Sequence, residues 1–207
     1  MEVFRRTLCL IALLAQTIAV PDPYLLLDIT TAHTTNNELK TKAALDALER
    51  KYDLRPWTFT RIIMIDESAI PHSHPVLTIH TRHLGDDDAL LSTYLHEELH
   101  WFLEKHKTET EAAELALIKR YPSVPVGYPD GANDRESTYL HLIDCDLEFH
   151  ADEALLGIER ARRVMEYWAT DHYRWVYKTV LADRKAIDAI LKAHGLNQPD
   201  ASRRALR

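Results

Sequence analysis

The chain has 207 residues, of which 46% are hydrophobic and 28% charged, with a formal net charge of −7. That length and balance suit one globular domain with a sizeable core, and the negative charge argues against a nucleic-acid binder. Only five glycines, among many Ala, Leu, Glu and Lys residues, lean the mixture toward helix, and no repeat or low-complexity tract appears.

At the start, Arg5 and Arg6 precede an apolar run from Leu8 to Val20, and Thr17-Ile18-Ala19 offers small residues for cleavage. This is the layout of a secretory signal peptide over residues 1–19, with the folded domain at 20–207. The run is short for a membrane span, so a cleaved chain keeps no stable span and is secreted or periplasmic. An uncleaved anchor, or a buried first helix of a cytoplasmic protein, is the alternative. Loss of Cys9 with the signal would leave Cys145 alone, without an internal disulfide, as a small buried residue.

Leu39–Tyr52 has helical period, with Asn36 or Asn37 as its cap. Arg61–Asp66 and Val76–Thr81 read as strands on either side of a Pro71–Pro75 turn. His72, His74, His80 and His83 crowd this segment and are read as surface or cleft-lining groups. Asp86, Asp87 and Asp88 supply negative charge to the start of the next helix, where the dipole favours it.

That helix carries Tyr94-Leu-His-Glu-Glu-Leu-His-Trp101. Residues four apart on a helix lie about 40° apart around the axis and about 6 Å along it. His96 and His100 therefore leave one face and can converge on a tetrahedral Zn²⁺, while Glu97 points beside them, placed to take a proton from water. The alternative is a chance match in a chain with 12 histidines. Glu111–Tyr121 reads as another helix, and Tyr121–Asp134, with three prolines and two glycines, as a loop near the cleft suited to specificity.

Asn133–Gly157 is a second informative helix, with Asn133 and Glu136 in the form of a capping box. Leu140, Ile143, Leu147 and Ala151 trace an apolar stripe; His141, Asp144, Cys145, Glu148 and Asp152 trace a polar one beside it. Either the helix packs on the His96 helix through both stripes, or the polar stripe is wet. From Ile158 to Gly195 two or three helices follow, with Asp171 a cap, Gly195 a stop, and Tyr167, Trp168, Tyr173, Trp175 and Tyr177 as packing aromatics. His172 or Tyr173 could reach the cleft to steady an oxyanion. Asn197–Arg207 reads as a polar tail.

The stretch Tyr94–Trp101 resembles the active-site helix of the zincin metallopeptidases. The resemblance implies an α+β, predominantly helical fold with a small sheet beside the HExxH helix, and an edge strand lining the cleft. It also implies a zinc-dependent hydrolase acting on a peptide or protein, with Glu97 as general base and Zn²⁺ held by His96, His100 and a third residue. His106 matches the spacing of the metzincin pattern, but Leu103 stands where that pattern has glycine, and a helix running on would carry His106 roughly 9 Å past His100. Zincins of the glutamate type take the third ligand from a later helix. Here the candidates, in order, are His141, Glu148 and Glu136; Glu148 could equally orient an imidazole from behind. The rival reading is a non-catalytic zinc-binding or structural protein, with His96, His100, His141 and Glu148 closing the metal's coordination.

Overall fold

The computed structural model describes residues 26–197; the signal-like segment and the tail beyond Asn197 lie outside them. The fold is α+β and mostly helical, with a three-stranded parallel sheet of order β1-β2-β3: β1 Asp28–Thr31, β2 Ile62–Ile65 and β3 Leu77–Ile79. Pairing runs Ile29 to Ile63 and Ile65 to Ile79. Ile63, Ile65, Leu77 and Ile79 are fully buried. The sequence reading missed β1: its four residues (DITT) are too few and too polar to show an alternating pattern. Beyond β3, His72 pairs antiparallel with Thr78, through His72 N–H to Thr78 O at 3.1 Å and Thr78 N–H to His72 O at 2.8 Å. The segment between the two later strands thus returns along the free edge of the sheet.

Helix α1 (Asn36–Lys51) is capped by Thr35, not by either asparagine. Thr35 accepts from Glu38 N–H and the Glu38 carboxylate reaches back to Thr35 N–H, a reciprocal pair that an Asn cap would not complete. Glu38 also accepts from His33 and Glu67 N–H, joining the helix start to the ends of β1 and β2.

Helix α2 (Asp87–Lys105) starts at Asp86, whose carboxylate accepts from Ala89 N–H. It is buried nearly all round: Leu91, Tyr94, Leu95 and Leu99 have no exposed surface. Of its two adjacent glutamates, Glu98 points away from the histidines and accepts from Phe59 N–H (2.6 Å) and Thr60 N–H (3.0 Å), tying the chain before β2 to the helix. The helix does not run on past His106. The backbone there leaves the helical region (φ −115°, ψ 39°), and α3 (Lys107–Arg120) sets off anew.

Helix α4 (Arg135–Leu156) touches α2, α3, α5 (Ile158–Asp171) and α6 (Arg174–Ala193), so it is the hub of the helical layer. Its cap is Asp134, which accepts from Ser137 N–H at 2.7 Å, one residue later than the capping box expected at Asn133. Both of its stripes are buried except at Leu140, which is half-buried, and Asp144, Cys145, Glu148 and Asp152 have no exposed surface. Gly157 ends the helix at φ 81°, a conformation open to glycine. Asp171 closes α5 instead of capping a later helix, and its carboxylate pairs with Arg82 at 2.7 Å. Helix α6 bends at Asp183 and stops before Gly195 (φ 84°). Among the described residues no helix is long and apolar enough to cross a membrane.

Candidate metal centre

His96 and His100 leave the same face of α2, and α4 brings His141 opposite them. The three rings form a near-equilateral triangle, with centroids 5.0 Å (His96–His100), 5.2 Å (His100–His141) and 5.5 Å (His96–His141) apart. One nitrogen of each lies within 4.8 Å of the others. His96 and His141 are 8% and 6% exposed, so the cluster sits below the surface with an opening, neither sealed nor washed.

Two rings are held through Nδ1, which leaves Nε2 as the free nitrogen. His96 Nδ1 lies 2.8 Å from Asp144 Oδ2 and 3.0 Å from Glu148 Oε2. His141 Nδ1 is 2.6 Å from the Ser137 carbonyl, one turn earlier on its own helix, and with only an acceptor there Nδ1 must carry the proton. Glu148 is fixed in turn by Ser92 Oγ, which donates to Oε1, and by Tyr177 OH, which donates to Oε2 at 3.0 Å. Trp168 Nε1 donates to Ser92 Oγ at 2.9 Å. Four elements (α2, α4, α5 and α6) therefore meet behind one imidazole. Glu148 thus stands behind His96, on the side away from the triangle. A closed site with Glu148 as a fourth ligand is not the arrangement found.

Burial lowers the pKa of His141 to about 3, aided by His96 and His100, and lowers that of His100 as well. Rings held neutral keep the lone pair that a metal needs. At His96 burial also opposes charge, but Asp144 and Glu148 beside it outweigh that and raise its pKa. Burial raises the Cys145 thiol to about 12, so it stays protonated and is a poor ligand.

Glu97 is 6% exposed, and burial raises its carboxyl to about 7. It lines a cavity of about 640 Å³ together with Thr93, His96, Trp168, Tyr173 and Tyr177. One rim is the segment Ile70–Pro71, just before the residue that pairs with the sheet edge; the other is the loop residues Tyr128 and Gly131 to Asn133. Tyr173 lines the cavity beside the triangle: its backbone is left-handed (φ 45°), and its ring centre lies 4.2 Å from that of His141. His172 lines the same space, with Nδ1 on Asp171 at 2.8 Å. A second cavity of about 410 Å³ opens beside His100, lined by His74, Glu104, Glu111 and Glu114.

The other candidates stay outside. Glu136 is exposed on the first turn of α4. His106 turns back on its own helix, Nδ1 against Phe102 O at 2.8 Å. Of the four upstream histidines only His83 is buried, edge-on to Trp168 at 5.0 Å; the rest are exposed or half-exposed. The parts missed in the sequence are the carbonyl of Ser137 and the group Ser92, Trp168 and Tyr177 around Glu148. Asp144 and Glu148, at i+3 and i+7 from His141, did carry a signal as part of the polar stripe. Compared with known proteins, the chain matches no family model, no curated protein and no solved structure.

Proposed function

We propose that the protein is a zinc-dependent hydrolase, with His96, His100 and His141 as the metal ligands and Glu97 as the general base. The observation that carries this reading is the triangle of rings. Three imidazoles bound through nitrogen at 2.0–2.1 Å from a tetrahedral zinc would have ring centres about 5 Å apart, the spacing found here. Three nitrogen donors beside a cavity lined by His96 and Glu97 match a catalytic zinc site better than a structural one. Zinc held there would supply a Lewis acid that polarises a carbonyl and acidifies water.

The chain's own groups do the rest. Glu97, near neutrality and facing the cavity, takes a proton from the attacking water at its carboxylate and returns it to the leaving amine. Asp144 and Glu148 hold His96 in one orientation and keep its free nitrogen basic. Tyr173 faces the same space and offers an O–H to the oxyanion that develops. A peptide fits the cleft, because Ile70 and Pro71 form one rim and the cavity has aromatic walls. The protein would act outside the cytoplasm if its first residues serve as an export signal.

The test pairs metal content with activity. Purified protein should hold zinc and cleave an unfolded protein such as casein; Glu97→Gln should keep the zinc and lose cleavage. A Glu97→Gln protein that cleaves at the native rate would sink the mechanism. A native protein that binds zinc but cleaves nothing across a broad peptide library would favour the binding-only alternative.

A further inference from the structure

Helix α4 carries a second set of ligand-type side chains on the flank that meets α6. Asp146 and His150 stand four residues apart on α4, the spacing His96 and His100 have on α2, and Asp188 of α6 faces them. His150 Nε2 lies 3.2 Å from Asp188 Oδ1 and 3.7 Å from Asp146 Oδ2, and the three ligand atoms lie within 4.8 Å of one another. Ligand atoms on adjacent corners of a tetrahedral zinc site are about 3.3 Å apart, so these gaps bracket a metal's coordination edge.

Asp146 is the decisive residue. It is 0% exposed, and neither carboxylate oxygen has a hydrogen-bond partner among the described residues. An ion-pair network alone does not account for it. His150 Nε2 lies 3.2 Å from Asp188 and 3.7 Å from Asp146 and is hydrogen-bonded to neither, and a carboxylate buried without partners is costly. The neighbouring cations are engaged elsewhere: Lys192 Nζ lies on Asp188 Oδ2 at 2.7 Å, leaving Oδ1 free, and Arg184 bridges Glu153 and His150 Nδ1. A cavity of about 650 Å³ lined by His150, Arg184 and Asp188 gives an ion a way in.

We propose that Asp146, His150 and Asp188 form a second metal site, taking a divalent transition ion such as zinc and tying α4 to α6. The mixed carboxylate and imidazole donors suit zinc. Binding needs the lone pair of His150 Nε2, so the ring proton moves to Nδ1, and Arg184, now 2.7 Å from that atom, is left with Glu153 alone. The site does not depend on the histidine triangle, which uses the opposite flank of α4.

The experiment is a zinc count on full-length protein, stripped with chelator, dialysed against zinc and analysed by plasma mass spectrometry. Native protein should hold two ions per chain. Asp146→Asn should hold one, as should His96→Gln/His100→Gln, each losing a different ion. Asp188→Asn, changed at the half-exposed rim, serves where Asp146→Asn does not keep its helical circular dichroism. The inference is overturned if folded variants at Asp146 and Asp188 keep the native count, or if native protein holds no more than the zinc lost with His96 and His100. That second outcome leaves the proposed hydrolase standing. Loss of zinc at Asp146 alone, with none lost at His96 and His100, would do the reverse.

Discussion

The two flanks of α4 use the same residue types to opposite effect. Toward α2, His141 and its neighbours meet acceptors: the Ser137 carbonyl behind one ring, Asp144 and Glu148 behind the other. Each Nδ1 is thereby committed and each Nε2 left free for a metal. Toward α6, His150 meets a donor, since Arg184 occupies its Nδ1 and pushes the ring proton onto Nε2, toward two carboxylates. An imidazole's usefulness to a metal is thus decided at the nitrogen that does not touch it. On the proposed reading the α2 flank has only to give up the proton that Asp144 and Glu148 favour on His96, whereas the α6 flank must move a ring proton and also release an arginine. We therefore expect the second flank to bind zinc more weakly and to surrender it first to a chelator.

The sharpest way to break this comparison is at the chemistry. Glu97→Gln should lower hydrolysis by about 10²- to 10⁴-fold while both zinc ions remain, read from casein cleavage and metal content on one preparation. Next, Glu148→Gln removes one of the two carboxylates behind His96. It should weaken zinc at the triangle by about 10- to 100-fold in a competitive chelator titration and leave the α6 flank unchanged. An equal loss at both flanks would mean the variant acts on the whole helix and not on one ring.

Smaller effects sharpen the other side. Arg184→Met frees His150 Nδ1, so the second ion should bind tighter by about 1 kcal/mol, roughly fivefold, in the same titration. The gentlest prediction concerns His83, outside both clusters. Burial, with Arg82 beside it, lowers its pKa to about 4 from 6.5. The unfolded chain then binds a proton that the folded chain refuses, so this group's contribution is intact above about 6.5 and lost as pH falls toward about 4. Melting temperatures should therefore drop over that window, and His83→Gln should flatten part of the drop. A variant with the native pH slope would remove His83 as its source.

What could be read in advance follows from what each feature depends on. His96, Glu97 and His100 depend on helical spacing alone, so their shared face follows from arithmetic. The burial of α4's polar stripe depends on α5 and α6 closing over it, which nothing within Arg135–Leu156 encodes; a wet face was as consistent with those residues. Glu97 and Glu98 are neighbours of identical type, and only the fold sends one to the cavity and the other to the amides of Phe59 and Thr60. The caps at Thr35 and Asp134 lie one or two residues from the positions expected, because several adjacent polar residues can serve and tertiary contacts choose among them. The spacing of Asp146 and His150 was visible, but Asp188, on another helix, is what gives it meaning.

The loop from Pro122 to Asp134 braces itself against its own turns. Gly127 N–H donates to Ala132 O and Gly131 N–H to Gly127 O, while Thr138 Oγ1 donates to Pro125 O. A methyl group at Gly131 would come within 2.2 Å of the Pro125 carbonyl oxygen. The shape of this wall of the cavity is accordingly set by the chain itself, and variation there falls to side chains such as Tyr128, with the backbone beneath them held constant.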